Sequence, residues 1–217
     1  LFTLRKMSPV PVTVATKSPL AAWEQIAASY LDALPTLSQD EVIRYFDGAV
    51  PSWRHAVSSA IPRRQAVCEV TRRLATFHPG IGDCSLQLIR AAGGEGKTTL
   101  LLQIASDAAR SGDWRVLWRP SSHIRLPPEH VVNLDAGKQW LIVADDAENL
   151  INDLSESARL LHEAGRSNVH FLLAARDTDW RAKFGDNPPW ETWLNAMVRR
   201  NQAIMLRGIN LVDAEAI

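Results

Sequence analysis

Cysteine is nearly absent from this sequence: Cys68 and Cys84 are the whole complement in 217 residues. Two thiols with fifteen residues between them cannot build a disulfide framework and match no zinc spacing. The expectation is two buried free thiols in a reducing, cytoplasmic compartment. Lysine is scarce as well, supplying 5 of the 24 basic residues, and the formal net charge is zero. That neutrality argues against direct binding of nucleic acid. The six histidines show no metal-ligand spacing and no Ser/His/Asp set has a supporting context, so neither zinc chemistry nor a covalent nucleophile is expected. No apolar run approaches the roughly 20 residues of a membrane helix. Residues 1–10 lack the apolar core and cleavage site of a secretory signal.

What is present is enough to fold. Apolar residues make up 46% and charged residues 22%, which supports a sizeable core and excludes a disordered tail, a fibrous repeat and a stapled mini-protein. The chain starts at Leu1 rather than Met and ends at Ile217 in a helical pattern, which suggests a piece of a longer protein.

Pro9, Pro11 and Pro19 mark an extended lead. From Leu20, the spacing of Trp23, Ile26, Ala27, Tyr30, Leu31 and Leu34 predicts a helix that Pro35 closes. Ser38 and Glu41 form a capping box ahead of a helix to Phe46. Trp53–Ala60 and Arg63–Phe77 are two more helices, the second with Pro62 in its first turn. Beyond Gly82 the pattern changes. Short apolar runs at Ser85–Ala91, Trp114–Trp118, Gln139–Ala144, Val169–Ala174 and Ala203–Leu206 alternate with helices at Thr98–Arg110, Leu150–Ala164 and Trp190–Arg199. This alternation predicts an α/β fold: a parallel sheet covered by helices on both faces, preceded by a small helical region.

The segment Ala91-Ala92-Gly93-Gly94-Glu95-Gly96-Lys97-Thr98-Thr99 joins a strand to a helix through a glycine-rich turn. Glycines let successive backbone N–H groups curl toward phosphate oxygens, and the helix adds its positive N-terminus. Lys97 supplies a cation for the β and γ phosphates, and the Thr98 hydroxyl is placed to ligate Mg²⁺. Ala91 stands where the usual G-x-x-x-x-G-K-T spacing has its first glycine, a variation of one methyl.

About fifty residues further on, the strand Gln139–Ala144 runs into Asp145-Asp146-Ala147-Glu148. At the carboxyl edge of a parallel sheet such carboxylates face the ligand crevice. Asp145 would hold Mg²⁺, and Asp146 would orient or deprotonate the attacking water, with Glu148 a second candidate. Taken alone, two aspartates at a strand end are an ordinary helix cap. The next strand ends in Arg176, which either reaches a γ-phosphate or pairs on the surface with Asp177 or Asp179.

This order of phosphate loop, Asp-Asp strand and arginine-ended strand resembles the STAND class of P-loop NTPases. These are signal-transducing ATPases of the additional-strand branch, found in bacterial defence and in eukaryotic immune and death signalling. The resemblance covers residues 85–217, including Ala203–Leu206 and Asn210–Glu215. Upstream, Tyr45–Trp53 and Ile61-Pro62-Arg63 look like the segment that joins effector domains to such an NTPase. The resemblance implies ATP/ADP with Mg²⁺, slow hydrolysis used as a switch, and a homo-oligomer on activation. It also implies an upstream effector and downstream sensor domains. Together with the sequence pattern, it divides the chain into an extended linker (1–20), a helical linker region (21–80) and a C-terminally truncated NTPase domain (81–217). Two rivals stand beside this: a nucleotide-dependent scaffold without turnover, and a mechanical AAA-type ATPase acting on DNA or protein.

Among the eight tryptophans, Trp114, Trp118 and Trp140 lie in strands and belong to a core. Trp180, Trp190 and Trp193, near Pro188-Pro189, suggest a lid or connector facing another domain. Arg63-Arg64 and Arg72-Arg73 read as a solvated helix face.

Overall fold

The computed structural model describes residue 20 and residues 22–76, 84–184 and 204–206. The lead before Leu20, the helix expected over Trp190–Arg199, Trp190, Trp193 and the segment Asn210–Glu215 lie outside the described residues.

The described chain runs β1 (Glu24–Ile26), α1 (Ala28–Asp32), α2 (Gln39–Phe46), α3 (Trp53–Val57), α4 (Gln65–Ala75), β2 (Ser85–Ala91), α5 (Lys97–Ser111) and β3 (Trp114–Trp118). It continues through α6 (Pro128–Val132), β4 (Gln139–Ala144), a 3₁₀ turn (Ala147–Asn149), α7 (Ile151–Glu163), β5 (Val169–Arg176), α8 (Asp177–Phe184) and β6 (Ile204–Met205). The strands form one six-stranded sheet in the order β1-β3-β4-β5-β2-β6, parallel throughout except for β1. β5 therefore stands between the phosphate-loop strand β2 and the Asp-Asp strand β4.

Strand residues alternate between the sheet's faces, and that period of two divides the core. On one face Leu86, Leu88, Trp140, Ile142, Phe171 and Leu173 pack with α6, α7 and Trp180 of α8. On the other, Ile89, Ala91, Leu141, Val143, Leu172 and Ala174 pack with α5, and with α1, α3 and α4 outside it. A sheet buried on both faces explains why its strands read as continuous apolar runs. Among the described residues no helix is long and apolar enough to cross a membrane.

The helix expected from Leu20 is not there. Glu24–Ile26 instead pairs antiparallel with β3, setting Glu24 opposite Trp118 and Ile26 opposite Val116. The open edge of β3 needs backbone partners, and that demand outweighs the helical spacing. The alternation of a strand then sends Trp23 into one core and Ile26 into the other, with the Trp23 indole donating to the Arg125 carbonyl at 2.9 Å. Only Ala28–Asp32 remains helical.

Three further expectations are corrected. Pro62 and Arg63 precede α4 rather than opening it, because Arg64 is extended (φ −69°, ψ 150°) and the segment is tied to α5. The Pro62 carbonyl accepts from Gln103 at 3.1 Å and Arg63 pairs with Asp107. Cys68 is exposed, since α4 turns Val67, Val70 and Leu74 inward, each worth about 1.5–3 kcal/mol of burial. Trp180 is fully buried beneath the Arg90 guanidinium, 6.0 Å from its ring centroid, so it is a core residue and not part of a lid.

Candidate phosphate and metal site

β2, β4 and β5 end at the same edge of the sheet, with Ala91 level with Arg176 and Ala144 level with Leu173. Ala91 is the last residue of β2 and 1% exposed. The departure from the usual spacing thus falls on a strand residue, where a methyl fits. The turn proper needs its glycines: Gly94 and Gly96 sit at φ +81° and +75°, a backbone region that residues with a Cβ seldom adopt. Gly96 is also the N-cap of the fifteen-residue α5, which has no side-chain cap and no acidic residue in its first turn. The open N–H groups of that turn are donors set up for an anion.

Lys97, only 7% exposed, folds back so that its ammonium donates to the Ala92 carbonyl at 2.7 Å and the Ala91 carbonyl at 3.3 Å. Among the described residues no carboxylate pairs with it. Its hydrogen-bond partners are neutral carbonyls, so no anion within the described residues offsets it. Glu95 and Gly93 complete the loop, and Thr99, 5% exposed, points to the helical region.

Opposite the loop, the Thr98 hydroxyl donates to Asp145 Oδ2 at 2.5 Å, while Asp145 Oδ1 accepts the Asp146 N–H at 2.9 Å. Thr98 and Asp145 form a hard-oxygen pair at the mouth of the loop. Among the described residues no group of three or more His, Cys, Asp or Glu side chains is arranged to hold a metal. Two oxygen ligands fit Mg²⁺, which keeps several waters and takes other ligands from phosphate. Asp146 is at φ +48°, left-handed without being glycine, where aspartate is tolerated better than most residues. Glu148, in the following 3₁₀ turn, is 8% exposed and its Oε2 has no hydrogen-bond partner. Burial, and then the negative charges of Asp146, Asp179 and Asp145, raise its pKa above the ordinary carboxylate range. Arg176 closes β5, exposed at the same edge. Asp177 pairs with Arg90 at 2.6 Å and with Arg181 at 2.8 Å, so the surface pairing of Arg176 with Asp177 is not what forms.

Three residues that touch this site have no assigned role in the sequence reading. Arg119, 4% exposed and immediately after β3, donates to the carbonyls of Asp145 (3.2 Å), Asp146 (3.4 Å), Ile124 (2.8 Å) and Ser122. Its position one residue past a strand's carboxyl end was the available signal. Arg64 donates to the Glu95 carbonyl at 2.8 Å, and the Tyr45 hydroxyl lies 3.0 Å from Thr99 Oγ1. These two contacts carry the helical region to the phosphate loop over separations in the chain that no local pattern reveals.

Residues 43–188 match the family described as Novel STAND NTPase 5. No curated protein matches the sequence. Two of the similar solved structures are the PCH-2 protein of C. elegans and the ORC2 protein of Aeropyrum pernix, the latter in ADPNP–ADP complexes. PCH-2 is 15% identical over 55% of this chain and 35% of its own, with a TM-score of 0.34. ORC2 is 16% identical over 83% of this chain and 52% of its own, with a TM-score of 0.40. The chain thus spans about a third and about half of the lengths of these structures.

Proposed function

From its membership of the Novel STAND NTPase 5 family, to which this nucleotide-binding domain belongs, we propose that the chain is an ATP-binding switch that hydrolyses slowly within a larger signalling or defence protein. The observation that carries this is the buried Lys97, whose charge is left without a carboxylate inside a glycine turn, beside the Thr98–Asp145 pair. A triphosphate supplies the missing anion. The amides of Gly93 to Thr99 and the Lys97 ammonium bind the β and γ phosphates. Thr98 and Asp145 would hold Mg²⁺, which neutralises phosphate charge. Asp146 orients the attacking water, Glu148 takes up the proton it loses, and Arg176 reaches the γ-phosphate from the end of β5. Assembly with further copies on activation follows from the same proposal, with effector and sensor regions on either side.

The test is a melting titration with Mg·ATP, Mg·ADP and Mg·GTP, combined with phosphate release. A ligand at a hundredfold excess over Kd should stabilise the native chain by about 2.7 kcal/mol. That gain should vanish in Lys97→Ala; a shift that persists overturns the assignment. Asp146→Asn should keep the adenine-selective shift while slowing turnover about 100-fold. Occupancy without any turnover in the native chain would instead favour a nucleotide-dependent scaffold, and stimulation by DNA a mechanical ATPase.

A further inference from the structure

Helix α8 starts where β5 stops, with Arg176 closing the strand and Asp177 opening the helix. Side chains along its length fix it to the rest of the fold. Asp177 pairs with Arg90 of β2 at 2.6 Å. Trp180, in the middle of the helix, is fully buried beneath the Arg90 guanidinium, 6.0 Å from its ring centroid. Lys183, in the last turn, donates from its ammonium to the Glu148 carbonyl at 2.7 Å and to Asn149 Oδ1 at 3.4 Å. One short helix therefore touches the strand that feeds the phosphate loop, prolongs the strand that ends in Arg176, and holds the turn that carries Glu148.

That turn has little of its own to hold it. It is a single 3₁₀ turn, Ala147–Asn149, a form with poorer hydrogen-bond geometry than an α-helix, and it follows the left-handed Asp146. The Asn149 and Leu150 N–H groups close it onto the Asp146 and Ala147 carbonyls at 3.2 Å and 2.9 Å, which leaves the Glu148 carbonyl to Lys183. Glu148 Oε2 has no hydrogen-bond partner, so no contact at that oxygen aims the carboxylate and the backbone beneath it has to. A charge-assisted bond from an ammonium to that backbone is stronger than a neutral one.

We propose that Lys183 is a positioning residue for the hydrolytic step, and that α8 passes to the Glu148 turn whether a γ-phosphate stands at Arg176. The proposal rests on the nucleotide reading of the site given above. From Asp177 to Lys183 the helix reaches roughly 9 Å at about 1.5 Å per residue. Trp180 pins its middle in the core, so a shift at the Arg176 end arrives at Lys183 as a tilt about that point. With a triphosphate bound, Arg176 is drawn to the γ-phosphate and Lys183 sets the turn that aims the Glu148 carboxylate at the attacking water. With a diphosphate, Arg176 has no such partner and the turn is released.

Hydrogen exchange of the 217-residue chain, read by mass spectrometry with Mg·ADPNP and with Mg·ADP at saturation, tests the coupling. The amides of the Glu148 turn should exchange about tenfold more slowly with Mg·ADPNP. In Lys183→Met that difference should disappear while the affinity for each nucleotide stays within about twofold of native. Turnover at saturating Mg·ATP should fall about tenfold, part of what a positioned proton acceptor contributes, and Lys183→Arg should restore most of it. Lys183 is exposed, so the melting temperature of the unliganded Lys183→Met chain should hold. Arg176→Ala should abolish the same exchange difference and leave Mg·ADP affinity unchanged. A native chain that binds both nucleotides yet exchanges alike with each overturns the coupling and leaves the nucleotide reading standing. Lys183→Met that keeps full turnover, or that weakens both nucleotides, overturns the positioning role. A native chain that binds neither nucleotide overturns the nucleotide reading, and this proposal with it.

Discussion

The parallel strands carry polar groups at both ends, and the two ends treat them differently. At the amino ends, Ser85 and His170 face each other across β2 and β5, with Ser85 Oγ 2.7 Å from His170 Nδ1 and Gln139 Oε1 3.1 Å from Nε2. Trp114 closes the ring edge-on at 4.9 Å. Both imidazole nitrogens have partners, and the set closes on itself. At the carboxyl ends, α5 opens without a cap, Lys97 faces carbonyls rather than an anion, and a Glu148 oxygen is buried without a partner. A buried polar group that is satisfied within the protein specifies the fold; one left unsatisfied needs something from outside. The contrast supports the proposed site at the carboxyl edge without reference to any motif.

Arg119 is the strongest challenge to that contrast, because it is a closed network lying beneath the working edge. Its guanidinium donates to the Asp145 and Asp146 carbonyls, on either side of the Asp146 Cα, where Asp146 adopts its left-handed backbone. Burial lowers its pKa, opposed by the charges of Asp146, Glu148 and Asp153, and it stays protonated. Removing a buried cation that satisfies several carbonyls is costly: Arg119→Gln should lose about 3–4 kcal/mol by denaturant titration. It should also depress turnover more than ATP affinity, since it positions Asp145 and Asp146 and not the loop. Loss of affinity with turnover per bound nucleotide intact would break this account.

At the amino end the sharpest probe is pH. Burial holds the His170 pKa at about 4, against 6.5 for the free side chain. The folded protein therefore binds fewer protons than the unfolded chain between those values. The stability is fully present above pH 6.5 and is lost as pH falls toward 4, by roughly 3 kcal/mol in all. His170→Gln should flatten that slope in melting curves over the same window and leave nucleotide affinity unchanged. A slope that survives the substitution would assign the acid sensitivity to other groups.

How much of this was legible in the sequence follows from the range of the interactions involved. The strands β2 to β5, α5 and the loop with Lys97, Thr98 and Asp145 are local patterns: apolar runs, glycines and a strand end. Their residues could be named without tertiary knowledge. β1 was not legible, because helical spacing and a three-residue edge strand suit the same side chains until β3 offers its open edge. The exposure of Cys68 and the burial of Trp180 depend on which way α4 and α8 face, and that is decided by packing. Arg119, Arg64 and Tyr45 act on the site through backbone carbonyls and a hydroxyl rather than through their own chemistry, so no motif of reactive groups could contain them.

The smallest effect tests the contrast at its most exposed point. Glu148 is a carboxylate that the fold buries without a full set of partners, and a buried group of that kind costs stability in its charged form. Its raised pKa has the opposite sign to the His170 case in linkage. A carboxyl that holds its proton more tightly when folded favours folding at low pH, and the benefit is lost as pH rises through its folded pKa. Glu148→Gln removes the charge at nearly constant volume, and it should raise stability at pH 7 by about 1 kcal/mol while lowering turnover. The stabilisation should shrink as the pH falls and the native carboxyl takes up its proton. If the amide instead destabilised the protein at pH 7, Glu148 would belong with His170 among the groups the fold satisfies, and the carboxyl edge would lose one of its open positions.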